Sequence, residues 1–119
     1  MGSINKDQSS ERPWGSYRIL FKEEGFWVKR IEVKPGSRLS LQKHAKRSER
    51  WAVVKGKGLA VVNNREISVE PGVVIEVPLG AVHRIGNNGK EPLVFIEVAM
   101  GSYLEEDDII RLEDDYNRV

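Results

Sequence analysis

No cysteine occurs among the 119 residues. Disulfides, thiolate metal sites, iron–sulfur clusters and cysteine nucleophiles are thereby excluded. Long apolar runs are missing as well: no stretch approaches the roughly 20 residues that a helical bilayer crossing needs. The N-terminal MGSINKDQSS lacks the apolar stretch of a secretory signal. Strong charge of one sign is also absent, with 19 basic against 18 acidic side chains. The basic residues are scattered, and no helix–turn–helix, zinc-finger or stacking-aromatic pattern accompanies them, which argues against a nucleic-acid partner. A cytoplasmic chain without a membrane partner is the expectation.

What is present suffices for one domain around a modest core: 39% hydrophobic and 31% charged residues in 13.5 kDa. The charge balance is uneven along the chain. Residues 103–119 carry seven acids (Glu105, Glu106, Asp107, Asp108, Glu113, Asp114, Asp115) against Arg111 and Arg118. The other 102 residues hold 17 basic and 11 acidic side chains, a net +6. A basic body with an acidic tail suits either an anionic ligand or a tail that packs back on the body.

Residues 1–11 read as a flexible leader, and 12–119 as a single domain. After Arg12-Pro13-Trp14-Gly15-Ser16-Tyr17, short strand-like runs follow in close order: 19–21, 26–33, 39–44, 51–54, 59–62, 67–69, 73–77, 83–85 and 93–99. Turn chemistry separates them, notably Pro35-Gly36, Gly56-Lys57-Gly58, Asn63-Asn64, Pro71-Gly72 and Asn87-Asn88-Gly89. Asn63-Asn64 suits a tight hairpin, because both residues tolerate positive φ. The spacing predicts an antiparallel sandwich or small barrel. One short helix is expected, from Leu104 to about Leu112, since its opening acids favour a helix N-terminus.

Polar groups recur inside these runs. Gln42 and His44 lie two apart and share a strand face. A hairpin would bring Glu49 back beside them, and His83 opens another strand from which it could join across a barrel. Oxygen and imidazole donors of this kind bind a divalent transition metal. Spacing alone leaves the ordinary readings open: a hydrogen-bonded core histidine, an exposed Gln42, a Glu49 paired with Arg47 or Arg50.

Two motifs carry a family resemblance. Gly36, five residues, Gln42-Lys43-His44, four residues, Glu49, six residues and Gly56 form the first. Gly72, five residues, Pro78-Leu79-Gly80, two residues, His83, three residues and Asn87 form the second. They resemble the paired motifs of the cupin superfamily, with Gln42 replacing the usual first histidine. RPWGSY (12–17), VKRIEVKPGSRLSLQ (28–42) and GSYLEEDDIIRLEDDY (101–116) are similar, more closely, to the cupin domain of type II mannose-6-phosphate isomerases. In that family the domain usually follows a mannose-1-phosphate guanylyltransferase. The chain departs from the family where two neighbouring histidines are Ala45 and Lys46 and another is Arg50. With 119 residues and no glycine-rich nucleotide loop, a stand-alone cupin is expected, unable to make GDP-mannose unless a partner supplies that chemistry.

The resemblance implies an all-β jelly-roll barrel with a short C-terminal helix. It implies a metal held by Gln42, His44, Glu49 and His83, zinc first, with manganese, cobalt, nickel or iron as alternatives. The implied reaction interconverts mannose 6-phosphate and fructose 6-phosphate. Arginine suits a phosphate through its fixed fork of donors, so Arg47 is the leading substrate-facing group, followed by Arg84, Lys29 and Arg12. Alternation counts against Arg84, which should face away from His83. Glu97, a carboxylate inside the apolar LVFIEVAM run, is the candidate proton carrier. Trp14, Trp27 and Trp51 could line a sugar site, although alternation with Glu49 and Val53 assigns Trp51 to the core. A homodimer is expected by analogy. Two other readings stand beside the isomerase: a non-catalytic module binding metal and a sugar or sugar nucleotide alongside a separate nucleotidyltransferase, and an iron oxygenase, which Gln42 disfavours.

Overall fold

Short β-branched and aromatic runs, interrupted every few residues by Gly, Pro or Asn, become strands, and the turn residues set where each one stops. The computed structural model describes residues 9–119. It contains β1 (Ser9–Arg12), β2 (Gly15–Glu23), β3 (Phe26–Val33), β4 (Leu41–Lys43), β5 (Arg47–Lys55) and β6 (Gly58–Val62). Then follow β7 (Arg65–Val69), β8 (Val74–Val77), β9 (His83–Gly86), β10 (Leu93–Gly101) and β11 (Ile110–Glu113). Asn63 and Asn64 join β6 to β7 at φ 48° and 69°, the double positive φ that a two-residue hairpin requires. Gly56 turns β5 toward β6 at φ 81°, and a Cβ there would sit 2.4 Å from the Pro92 carbonyl oxygen, so no other residue fits without displacing backbone.

All strand pairs are antiparallel and form two sheets, ordered β1-β2-β3-β10-β5-β8 and β11-β4-β9-β6-β7. Facing each other, they make the jelly-roll barrel that the sequence implies. Alternation decides what lies between them. β3 buries Trp27, Lys29, Ile31 and Val33, and β5 buries Arg47, Glu49, Trp51 and Val53. Between them β10 buries Phe95, Glu97 and Ala99. The register sets Phe95 opposite Ile31 and Val53, and Glu97 opposite Lys29 and Trp51. The buried charges therefore lie toward one end of the barrel, bordered by a small apolar cluster of Trp27, Ala99 and Leu104, and the larger apolar core fills the other end. The apolar end holds Val33, Val53, Ile75, Ile85, Leu93 and Phe95. Each large side chain sequestered there contributes roughly 1.5–3 kcal/mol, which offsets the cost of burying charges at the other end.

Two expectations are corrected. Of the leader expected over 1–11, residues 9–11 belong to β1, which pairs with β2; residues 1–8 lie outside the described residues. The short helix expected from Leu104 to Leu112 is absent: residues 105–108 form a turn and Ile110–Glu113 form β11. The physical reason lies in partners that local sequence does not show. Glu105 pairs with Lys22, Glu106 pairs with Lys29, and the Asp108 carboxylate accepts the backbone N–H groups of Ala45 and Lys46. A helix would have lost these contacts. β4 also offers an unpaired edge, and β11 covers it. Among the described residues no helix is long and apolar enough to cross a membrane.

Candidate metal centre

Three buried side chains converge at the polar end. His44 follows β4, Glu49 lies on β5 and His83 opens β9, and one donor atom of each falls within 4.8 Å of the others. His44 Nε2 is 3.3 Å from Glu49 Oε2, and His83 Nε2 is 3.9 Å from Glu49 Oε1. The orientation of each ring is fixed from behind. His44 Nδ1–H donates to the Asp108 carbonyl oxygen at 2.6 Å, and His83 Nδ1–H donates to that of Ala81 at 2.9 Å. Both Nε2 lone pairs are thereby turned toward Glu49, the tautomer and direction that a metal ligand needs.

Electrostatics agree with this arrangement. Burial lowers the His44 pKa to about 4 against the raising effect of Glu49. Burial likewise lowers that of His83. Both imidazoles are neutral near pH 7, as ligands must be. Burial raises the Glu49 carboxyl, but His44, His83 and Arg47 outweigh it and hold it at about 2. One anion and two neutral nitrogens therefore face a common point, and this donor set fits a divalent transition metal. Gln42 stands directly across from His83 in the neighbouring strand. Its Nε2 donates to the Ser40 hydroxyl at 2.9 Å, which leaves the amide oxygen as its remaining acceptor.

These groups line a cavity of about 100 Å³ that also receives Lys29, Arg47, Glu97, Arg111 and Arg118. Arg47 donates from Nε to Glu49 Oε2 at 2.9 Å and from Nη2 to His44 Nε2 at 3.3 Å, and its guanidinium lies 4.8 Å from the centre of the Trp27 ring. Lys29, only 4% exposed, places its ammonium 3.9 Å from the Trp27 ring centre and pairs with Glu106. Arg12 borders the cavity through neutral partners, Ser10, the Glu11 carbonyl and the Tyr17 hydroxyl. Arg84 follows the alternation. It stands opposite Val61 and lines a groove on the outer face with Leu41 and Leu59, but it also borders the cavity; its Nε donates to the Leu39 carbonyl oxygen at 3.0 Å and its Nη1 lies 3.6 Å from Glu113 Oε1.

Glu97 is buried in the cavity wall, where Trp27 Nε1–H donates to its Oε2 at 2.9 Å. Burial, reinforced by the Glu49 charge, pushes its pKa up to about 8 despite Lys29 and Arg47. Two carboxylates in one cavity thus take opposite protonation states at neutral pH, a division of roles typical of acid–base sites. Of the tryptophans, Trp51 packs on Phe95 and donates to Glu49 Oε1 at 3.0 Å, while Trp14 borders the cavity.

Sequence reasoning missed the acidic turn as part of this site. Glu105 contributes its carbonyl to Arg47, Glu106 its carboxylate to Lys29, and Asp108 its carbonyl to His44. The excess of acids in the tail was the available signal, and its pairing with the basic body is what the structure adds. Asp108→Ala should loosen the turn from Ala45 and Lys46 and with it the support of the His44 ring. Metal affinity is expected to fall about 10-fold or more, as for other losses of support behind a ligand. Competition against a fluorescent chelator would measure it, and an unchanged affinity would show that the turn does not hold His44.

A family model described as the C-terminal part of mannose-6-phosphate isomerase matches residues 2–114. The mannose-1-phosphate guanylyltransferase ManC of Salmonella typhimurium is 49% identical over 108 residues, 91% of this chain and 22% of that protein. The alginate biosynthesis protein AlgA of Pseudomonas aeruginosa is 49% identical over 107 residues, 90% of this chain and 22% of that one. The chain thus spans about 22% of the length of these curated relatives. A cupin-2 domain from Rhodospirillum rubrum has the same fold, with a TM-score of 0.66 at 23% identity over 78% of this chain and 67% of that one.

Proposed function

Because the chain belongs to the family of the mannose-6-phosphate isomerase C-terminal domain, we propose that it interconverts mannose 6-phosphate and fructose 6-phosphate with one divalent metal ion. The observation that carries this reading is the cavity itself. It combines a His44–Glu49–His83 donor set, a buried carboxyl poised near neutrality and several cations in one enclosed volume.

His44, Glu49 and His83, joined by the Gln42 amide oxygen, would hold the ion, and zinc suits two imidazoles and a carboxylate. Bound there, the ion would supply Lewis-acid polarisation of the sugar oxygens. The remaining work falls to the chain's own residues. Glu97 takes the proton from C2 of the open-chain aldose and returns it to C1, while a second proton passes from O2 to O1. A carboxyl with a pKa about 8 is well matched to both halves of that exchange. Arg47, beside the ligands, balances negative charge as it develops on the sugar oxygens. The low-exposure walls of Trp27, Trp51 and Phe95 exclude water and strengthen each of these interactions. A cytoplasmic location belongs to the same reading, since sugar phosphates are cytoplasmic metabolites. So does a homodimer: β8 is a sheet edge whose Val74 is 62% exposed, an edge that pairing would cover.

The test is a coupled assay of mannose 6-phosphate turnover on chelator-treated protein, with zinc, manganese or cobalt restored in turn and bound metal quantified. Turnover is expected only with metal present. No turnover with any ion, alongside one bound ion that is lost in His44→Ala, would replace the isomerase with a metal-holding binding module.

A further inference from the structure

The cations around the cavity are not equivalent. Arg47 is committed to Glu49 and His44, Lys29 to Glu106, and Arg84 to the Leu39 carbonyl. The Arg118 guanidinium makes two hydrogen bonds to Asp114, at 2.7 and 3.0 Å. Two guanidiniums keep a buried nitrogen without a hydrogen-bond partner among the described residues, Arg84 at Nη2 and Arg111 at Nε. Arg84 is otherwise held, by the Leu39 carbonyl and by Glu113 Oε1 at 3.6 Å, and Arg111 is the one whose place in the strand register brings it to the inner wall. Burying part of a guanidinium without a partner is costly unless something else satisfies it.

Its position is set by strand pairing. Arg111 on β11 stands opposite Gln42 on β4, and Gln42 stands opposite His83 on β9. Directly opposed residues share a face, so Arg111, Gln42 and His83 form a row along the inner wall. Two strand spacings, roughly 10 Å, separate the backbone of β11 from that of β9. That is the scale of an open-chain hexose 6-phosphate lying between a metal-facing C1–C2 end and its phosphoryl group. Arg118 and Arg12 also border the cavity and lie close enough to act on Arg111, whose pKa burial and these two cations lower. Asp114, already held by Arg118, is the acid that opposes them.

We propose that Arg111, flanked by Arg12 and Arg118, is the phosphate clamp of this cavity and takes the dianion of a phosphate monoester through its free Nε and neighbouring donors. Arginine suits this task because its planar fork matches two oxygens of a phosphate at once. The identity of the ester rests on the isomerase reading. The anion site does not, since it follows from the partnerless Arg111 Nε and its place in the cavity.

The experiment is calorimetric titration of the full chain with inorganic phosphate and with mannose 6-phosphate, each in the presence of a chelator and again after zinc loading. Wild type is expected to bind mannose 6-phosphate in both conditions. Arg111→Gln should weaken that binding at least 10-fold while leaving zinc affinity unchanged, and Arg111→Lys should fall between, keeping the charge and losing the fork. The Lys variant also keeps the test decisive if the Gln variant fails to fold. Binding by Arg111→Gln and Arg111→Lys equal to wild type would overturn the clamp. So would phosphate bound only after zinc loading, which would make the ion its holder, or a parallel loss of zinc affinity, which would reveal a structural role. If inorganic phosphate binds with the Arg111 dependence intact while mannose 6-phosphate does not, the anion site stands and the isomerase reading falls.

Discussion

Glu49→Gln should abolish metal binding and isomerase turnover together, and should also destabilise the metal-free fold by about 3–5 kcal/mol. The second effect follows from what Glu49 balances. It accepts Arg47 Nε at 2.9 Å and Trp51 Nε1 at 3.0 Å, and it faces both imidazoles. Removing its charge leaves the Arg47 guanidinium, 6% exposed, without an anion in a low-dielectric wall. For a chain of this size the loss corresponds to a fall of roughly 10–20 °C in melting temperature. Thermal melts of both proteins in chelator keep metal binding out of the comparison. Adding Arg47→Met to the variant should recover most of the loss, because the stranded charge goes with it. If Glu49→Gln melts like wild type, Arg47 is not held by Glu49 and the electrostatic description of the polar end fails.

The same residues show how far local sequence carries. Gln42 and His44 are two apart, and a period of two is a rigid geometric rule, so their shared face could be read in advance, whereas the joining of Glu49 and His83 to His44 was implied only by the resemblance to the cupin motifs. Asn63-Asn64 could be read for the same kind of reason, since few residues adopt φ of 48° and 69° in succession. The inward direction of Trp51 and the outward one of Arg84 also follow from alternation. The tail could not be read this way. Glu105-Glu106-Asp107-Asp108 looks like a helix start because local propensity is all that a single sequence displays. Its actual conformation is decided by Lys22, Lys29 and the N–H groups of Ala45 and Lys46, roughly 60–80 positions away. Arg111 was hidden by the same error. On a helix it would be one more solvated charge, whereas on β11 it enters the row beside Gln42 and His83.

Glu97→Gln should give a protein that is inactive yet more stable than wild type above neutral pH. In the native state burial pushes the Glu97 pKa up to about 8, against an ordinary value of 4.5. Between those two values the native chain holds a proton that the unfolded chain has released, so protonation favours folding at the acid end of the window. As pH rises through it, that contribution is lost at about 1.4 kcal/mol per unit, and it is gone once pH exceeds the folded value. Glutamine carries no charge at any pH, and its amide oxygen can still accept Trp27 Nε1–H, which Glu97 now accepts at 2.9 Å. The variant should therefore match wild type near pH 5 and exceed it by a few kcal/mol near pH 9. Urea denaturation in chelator at pH 5, 7 and 9 measures the divergence. Turnover should fall by about 10²–10⁴-fold in the same variant, the range that a positioned proton carrier supplies. The two readouts separate the two claims. Parallel stability profiles would show that Glu97 does not titrate in this window. Retained turnover in a folded, stabilised variant would show that another group carries the proton. Stability gained where catalysis is lost is the signature expected of a carboxyl kept buried for its chemistry.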